Sequence, residues 1–358
     1  MITVAILGAG IGSAHLEGYL ALPERYKVKY ICDLDAARAQ SIIDDKDGEN
    51  SSILVNSDIK AVLADDEIDL VDVCLPPHLH HPVSMDALNA GKHVVCEKPL
   101  VPSLAEADEL IEAAKSAGRV LSPVFQYRFG KSMSQLQALQ DAGLTGKAYS
   151  ASMETHWNRD KAYYDVSWRG TWVGENGGAV LGHAIHNHDL LTTILGPIAR
   201  LSAMTATRVN DIEVEDCAAI SFEMESGALV TSSITLGAAN DTSRIRVVFE
   251  GITAESGTAP YAPATDDWTF TARDPEQQAR VDEIVSSISD VRDGFAGFFD
   301  ELANQIAGEE HRAVTIEDGR RSIELVAAIY QSSRTKKTIE LPLGDNAQLY
   351  NGWAPAQA

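Results

Sequence analysis

The chain is poor in the features that mark several large classes of protein. Its four cysteines, at 32, 74, 96 and 217, form no CxxC pair, so neither a disulfide framework nor a cysteine-rich zinc module is expected. Three of them end apolar runs that read as strands, as buried free thiols of a reducing compartment would. No apolar run reaches the roughly 20 residues that span a bilayer. Met1-Ile2-Thr3-Val4-Ala5-Ile6-Leu7 enters a strand directly, with no basic leader or cleavage site, and a cytoplasmic location is the expectation. Basic residues are scarce, 29 Lys and Arg against 52 Asp and Glu, and the net charge of −23 argues against nucleic acid as a partner. Low-complexity tracts and internal repeats are absent too.

What is present is an ordinary globular composition, 45% hydrophobic and 23% charged over 358 residues, long enough for two domains. Short apolar runs at Thr3–Leu7, Lys27–Cys32, Leu70–Leu75, His93–Cys96 and Val120–Val124 alternate with helical patterns. Two of those patterns, Pro82–Ala90 and Ser103–Ala117, stop at Gly91 and Gly118, as helices often do. Strands alternating with helices predict a parallel sheet covered on both faces. From about residue 148 the rhythm changes to closely spaced strand-length runs: Tyr149–His156, Ala199–Thr207, Asp216–Glu223, Leu229–Leu236 and Arg244–Glu250. These read as a mostly antiparallel sheet. Helices are expected at about Ala184–Leu195, Gly294–Ala307 and Glu317–Ser333, and a last strand at Lys336–Leu341; the turn-rich stretch 255–282 is left unassigned.

Gly8-Ala9-Gly10-Ile11-Gly12 follows the first strand and opens a helix. Glycines there allow a tight turn and close approach to a pyrophosphate, which the helix N-terminus stabilises. The spacing is GxGxG, with Ser13 where the third glycine of GxGxxG would fall, and a plain strand–helix turn is the competing reading. Asp33, 25 residues beyond Gly8 at the end of the second strand, suits the hydroxyls of an adenosine ribose and would repel a 2′-phosphate. NAD is therefore favoured over NADP as the cofactor. Asp33 as a mere helix cap, with Asp35 in the ribose role, stays open.

Further on come Leu75-Pro76-Pro77-His78-Leu79-His80, Gly91-Lys92-His93-Val94-Val95-Cys96-Glu97-Lys98-Pro99, and Gln126-Tyr127-Arg128-Phe129. With the stretch from Glu317-Asp318-Gly319-Arg320 to Pro342, they resemble the Gfo/Idh/MocA family of glucose–fructose oxidoreductases and inositol dehydrogenases over nearly the whole chain. The Glu-Lys-Pro tripeptide is the most specific part of that resemblance. A lysine at the C-terminal end of a parallel strand lies where open α/β sheets bind ligands. Partly desolvated there, it is suited to exchange a proton with an alcohol or carbonyl, and the resemblance gives the matching lysine that role. A surface lysine at a strand end is the bland alternative for Lys98.

Gly177-Gly178-Ala179-Val180-Leu181-Gly182-His183-Ala184-Ile185-His186-Asn187-His188-Asp189 is similar to the family pattern GGxxxDxGxHxxD. His186 and Asp189 fall on its histidine and last aspartate, but Gly182 stands where the first aspartate belongs. His183 is adjacent, yet one residue turns a helix by about 100°, so it is no simple substitute. His183 and His186 share a helical face without a completing acidic ligand, and no metal is expected. A satisfied core histidine is the lesser alternative for His186; for His183 and His188 the two readings balance. His156-Trp157-Asn158-Arg159, Tyr163-Tyr164 and Trp168-Arg169-Gly170-Thr171-Trp172 mix aromatic faces with polar groups, as suits either a sugar ring or a subunit interface.

The expected fold is an α/β Rossmann domain over residues 1–123, followed at 124–358 by an α+β domain with a large open, mostly antiparallel sheet for substrate binding and oligomerisation. The expected function is oxidation of a ring hydroxyl of a sugar or cyclitol, or reduction of the matching ketone, by an NAD(P)-dependent dehydrogenase. Lys98 and His186 are its candidate catalytic residues. Gly8, Gly10, Ile11, Gly12, Asp33, Leu75, Pro76, Pro77, His80, Glu97, Lys98 and Gln126 are placed at the cofactor. Lys98, Arg128, His156, Trp168, Arg169, His183, His186 and Asp189 are placed at the substrate. The partner is a small sugar-like molecule, without nucleic acid or membrane, and the resemblance implies a homodimer or homotetramer. An NAD-dependent glycosidase working through transient oxidation, or a silent sugar or cofactor sensor, are the alternatives.

Overall fold

The computed structural model describes residues 1–48, 51–344 and 347–355. They divide into two compact units, Met1–Phe125 with Gly294–Ile323, and Gln126–Asp293 with Glu324–Ala358. The sequence boundary at 123 and 124 falls close to the first break, but the pattern does not reveal that Gly294–Ile323 returns to the first unit.

That unit is built on six strands: β1 (Ile2–Leu7), β2 (Tyr26–Cys32), β3 (Leu54–Asn56), β4 (Leu70–Val73), β5 (His93–Cys96) and β6 (Leu121–Pro123). They pair in parallel in the order β3-β2-β1-β4-β5-β6, the order of two mononucleotide-binding halves meeting at β1 and β4. β1 and β4 are buried almost throughout because helices cover both faces. Strand β3 escapes the sequence reading because it is a three-residue edge strand with an exposed leucine.

The returning segment fits the first unit closely. A Cβ on Gly18 of helix Gly12–Leu20 would lie 2.8 Å from Phe295 Cβ and 2.9 Å from Phe299. Glycine therefore permits a helix–helix approach that alanine would force apart. Ser122 Oγ donates to Val314 O, and Arg320 Nε pairs with Asp108 at 2.5 Å.

The second unit carries eight strands: β7 (Ala148–Asn158), β8 (Ile198–Ala206), β9 (Cys217–Met224), β10 (Leu229–Thr235), β11 (Gly237–Phe249), β12 (Ile252–Glu255), β13 (Thr269–Ala272) and β14 (Ile339–Glu340). Their order is β13-β12-β11-β7-β10-β9-β8-β14, antiparallel except for the parallel pair β7 and β10. Burial alternates along β9 and β10, as it does when a sheet is covered on one face. Helix Ile185–Leu195 has nine of its eleven residues buried, and Asn187 reaches Thr155 of β7 and Ser243 of β11 from it, at 2.7 and 3.2 Å.

Candidate active site

In the first unit the glycine turn is shaped by what it touches. Gly8 has φ +105°, and a Cβ there would lie 2.3 Å from Cys74 O; one on Gly12 would lie 2.8 Å from Ile6. The close packing of turn and helix against β1 and β4 thus demands glycine at both ends. Gly10 and Ile11 between them are exposed, at the N-terminus of the nine-residue helix Gly12–Leu20, where the helix dipole favours negative charge. That is a cradle for a phosphate.

The structure separates the two aspartates that the sequence leaves as rivals. Asp35 is the helix cap: its carboxylate accepts from Arg38 N at 3.0 Å. Asp33 accepts from Ala9 N at 2.7 Å and from Asp35 N at 2.8 Å, which fixes a half-buried carboxylate against the glycine turn. Each of its oxygens keeps a further lone-pair direction for a hydroxyl donor.

On the neighbouring strands, Leu75 and Pro77 are half-buried and Pro76 is exposed, whereas His80 is 1% exposed. The ring nitrogens of His80 stand 2.7 Å from Pro99 O and 2.8 Å from Leu75 O. Burial lowers the His80 pKa, so the neutral ring donates to one of these two carbonyls and is wedged between the Pro76-Pro77 turn and the segment after Lys98, a bracing role the sequence did not predict. Lys98 itself is half-buried beyond β5, with its backbone N–H donated to Glu97 Oε2 at 2.9 Å and a cis peptide bond to Pro99.

In the second unit the motif residues draw together around helix Ile185–Leu195. His186 is 5% exposed and stacks on Tyr127 at 4.5 Å between ring centroids. His183, 7% exposed, meets Trp157 edge-on at 5.3 Å and Tyr163 at 6.0 Å. Asp189 is bound by Arg128, Nε to Oδ2 at 2.7 Å and Nη2 to Oδ1 at 2.5 Å. Two residues expected at the substrate thus neutralise each other and brace the helix against the turn Gln126–Arg128. Gln126 Oε1 is buried without a hydrogen-bond partner among the described residues, a polar atom available to a bound group.

Other expected residues lie elsewhere. Trp157 and Thr155 of β7 face the histidine helix, so by strand alternation His156 points to the opposite face, where its Nε2 is 3.0 Å from Ser233 Oγ. His188 is buried against Ser232 Oγ at 3.1 Å, and burial pushes its pKa down to about 4; it is a neutral core histidine. Arg169 stacks over Tyr163 at 4.0 Å and, at 5.4 Å, over Trp168, which stays half exposed.

The double glycine has a packing cause. A Cβ on Gly178 would fall 1.8 Å from Glu215 O and one on Gly177 2.6 Å from Tyr330 Oη. Glu215 accepts from Gly178 N, Val180 N and Tyr330 Oη at 3.2, 3.0 and 2.9 Å, holding the first turn of helix Ala179–Gly182. Gly182 differs: nothing lies within 4 Å of a Cβ placed there, so the position of the family aspartate is open space. Glu215, Asp241 and Tyr261 went unread in the sequence, and Tyr127 was read there only as part of a motif, with no role at the site. Asp241 accepts from Arg159 Nη1 at 2.9 Å and Tyr261 Oη at 2.5 Å beside Trp157.

One group among the described residues has metal-like density: His15, Asp72 and Cys74, with ligand atoms within 4.8 Å of one another. Both nitrogens of His15 already face carboxylates, and burial holds the Cys74 thiol well above its usual range. A thiol kept protonated and an imidazole without a spare lone pair make a poor ligand set.

A parallel sheet in this order, a glycine cradle and a carboxylate at the end of β2 define a dinucleotide-binding α/β protein. Residues 2–125 match the model of the oxidoreductase family with an NAD-binding Rossmann fold, and residues 133–255 match the GFO/IDH/MocA C-terminal domain; the chain belongs to the Gfo/Idh/MocA oxidoreductase family. It is 32% identical over 222 residues to an uncharacterized oxidoreductase of Schizosaccharomyces pombe, covering 60% of this chain and 58% of the relative. It is 26% identical over 216 residues to the levoglucosan dehydrogenase of Pseudarthrobacter phenanthrenivorans, covering 58% and 54%. The chain thus spans little more than half the length of these curated relatives. The WlbA dehydrogenase of Chromobactrium violaceum, solved with NADH and UDP-GlcNAcA, is similar over 96% of both chains, with a TM-score of 0.81 and 26% identity.

Proposed function

We propose that the protein is an NAD-dependent dehydrogenase of a ring hydroxyl on a sugar, cyclitol or sugar derivative. The observation that carries this reading is Asp33, whose carboxylate is fixed by Ala9 N and Asp35 N beside the glycine turn. In that place it accepts ribose hydroxyls and repels a 2′-phosphate. The relatives named for levoglucosan and solved with a UDP-sugar support the substrate class.

Bound NAD supplies the hydride acceptor. The Gly8–Gly12 turn and the helix behind it hold the pyrophosphate, and Leu75, Pro76 and Pro77 line the cofactor. Glu97 fixes the backbone of Lys98, whose amine takes the hydroxyl proton as the C–H bond breaks and returns it in the reverse direction. His186, with its ring orientation set by Tyr127, donates to or accepts from the reacting oxygen. The aromatic and cationic groups around His183 offer C–H-binding faces and hydroxyl partners to a sugar ring. Residues 1–123 are the cofactor domain of this reading and 124–358 the substrate and oligomerisation domain, in a cytoplasmic homodimer or homotetramer.

One observation favours a second reading, a sugar or cofactor sensor without turnover: the open space at Gly182, where the family pattern that the sequence resembles has an aspartate. A panel of monosaccharides, cyclitols and anhydrosugars, assayed for NADH and NADPH formation and in parallel for binding, separates the two. NADH formed with at least one member supports the dehydrogenase. Binding throughout with no reduction supports the sensor.

A further inference from the structure

The first unit holds a buried charged cluster of which this mechanism uses only Glu97. His15 and Asp72 are 0% exposed and Glu97 is 8% exposed. His15 Nδ1 lies 2.8 Å from Asp72 Oδ2, and its Nε2 lies 3.0 Å from Glu97 Oε1. Tyr19 Oη donates to the same Asp72 oxygen at 3.0 Å, while the Cys74 thiol, 3.3 Å from His15 Nδ1, is 3.4 Å from Asp72 Oδ1. Phe295 and Phe299 close over the imidazole at 4.5 and 5.7 Å. The other oxygen of Glu97, Oε2, accepts the backbone N–H of Lys98 at 2.9 Å.

A neutral imidazole has one N–H, yet here a carboxylate faces each nitrogen. In a dry core a carboxylate opposed to a ring lone pair is strongly unfavourable, so His15 is an imidazolium bridging two anions. Burial opposes that charge, but Asp72, with help from Cys74, raises the His15 pKa well above its ordinary value. As core filling such a triad has little merit, because desolvating three charges offsets most of their attraction. Its effect is directional: it leaves Glu97 one orientation.

We propose that His15 is a positioning residue for Lys98: by bridging Asp72 to Glu97 it fixes the carboxylate that holds the Lys98 backbone amide. The inference rests on the assignment of Lys98 to proton transfer, where a shift of about 1 Å is enough to cost roughly a hundred-fold in rate. Asp72 and Tyr19 belong to the same chain of contacts, one link further from the lysine.

The test needs no substrate. In full-length wild-type protein with 15N-labelled histidine, both ring nitrogens of His15 carry protons from pH 6 to 8.5, the signals being assigned by their loss in His15→Gln. Amide exchange at Lys98 rises about ten-fold or more in His15→Gln, the effect of losing a charge-assisted contact, while Val71 in the adjoining strand changes little. A merely structural role would loosen Val71 and Lys98 alike. Cys74→Ser, which touches the same ring but not Glu97, leaves Lys98 exchange within about two-fold. A neutral His15 ring at pH 7 overturns the proposal even if His15→Gln fails to fold, and so does unchanged Lys98 exchange in a folded variant. Full turnover in Lys98→Ala, by contrast, would overturn the role of the lysine and leave these measurements standing.

Discussion

The glycine turn and the histidine helix carry the two densest motifs of the chain, and they use polar residues in opposite ways. At the turn, Gly10 and Ile11 are exposed and Asp33 keeps lone pairs beyond its two backbone contacts. On the helix, Asp189 is bound by Arg128, His188 is neutral in the core, and Asn187 is anchored to the sheet. The first region leaves exposed backbone and a carboxylate with spare acceptor capacity, whereas the charges of the second mostly hold the helix. Variants at the turn should therefore cost binding, and variants on the helix should cost stability.

The largest effect is expected at the ion pair. Arg128→Ala removes the cation that binds the buried Asp189 carboxylate, and a loss of about 3–5 kcal/mol is expected in urea unfolding. The double variant Arg128→Leu with Asp189→Leu should recover most of it; if it does not, the pair does more than brace the helix. Next comes Gly8→Ala, where a φ of +105° and a contact at 2.3 Å combine strain and overpacking of about 3 kcal/mol. This variant should lose NADH binding, followed by fluorescence, as well as stability, which sharpens the comparison because the turn is the one place where the two effects coincide.

Asp33→Ser should shift the ratio of NAD to NADP affinity by about ten-fold or more towards NADP, since one charged acceptor for the ribose and one repulsion are removed together. An unchanged ratio would break the assignment of Asp33. The smallest effect is expected for Gly182→Asp. Nothing lies within 4 Å of the new Cβ, so the unfolding free energy should change by less than about 1 kcal/mol. A larger loss would mean that the space is needed by the helix and is not a vacant ligand position.

Much of the fold was legible because most of the parallel strands are short apolar runs between helical patterns. His93–Cys96 coincides with β5, and Gly294–Ala307 with the helix that returns to the first unit. Strand β3 and the strand Thr269–Ala272 were missed for one reason: each has only half its residues or fewer buried, and periodicity needs a longer run. β11 begins seven residues before the expected Arg244 because its polar start, broken by an irregularity between Gly237 and Thr242, lacks apolar alternation.

The glycine turn was legible at Gly8, where a positive φ and a close contact dictate residue type. The site was illegible where partners are distant in sequence. Glu215 is 35 residues from the amide of Val180 that it accepts, and Asp241 is 82 from Arg159. Asp72 did leave a trace: one charge inside Leu70-Val71-Asp72-Val73 has to find a buried partner, and His15 is that partner. His156 shows the opposite failure, since proximity in sequence to Trp157 put it on the wrong face of β7.

The most direct test of the account is Lys98→Ala assayed with whichever sugar or cyclitol the wild-type protein oxidises, with NADH affinity measured on the same preparation. Turnover should fall by about 10²–10⁴-fold while NADH affinity stays within about two-fold. Turnover near the wild-type level would contradict it.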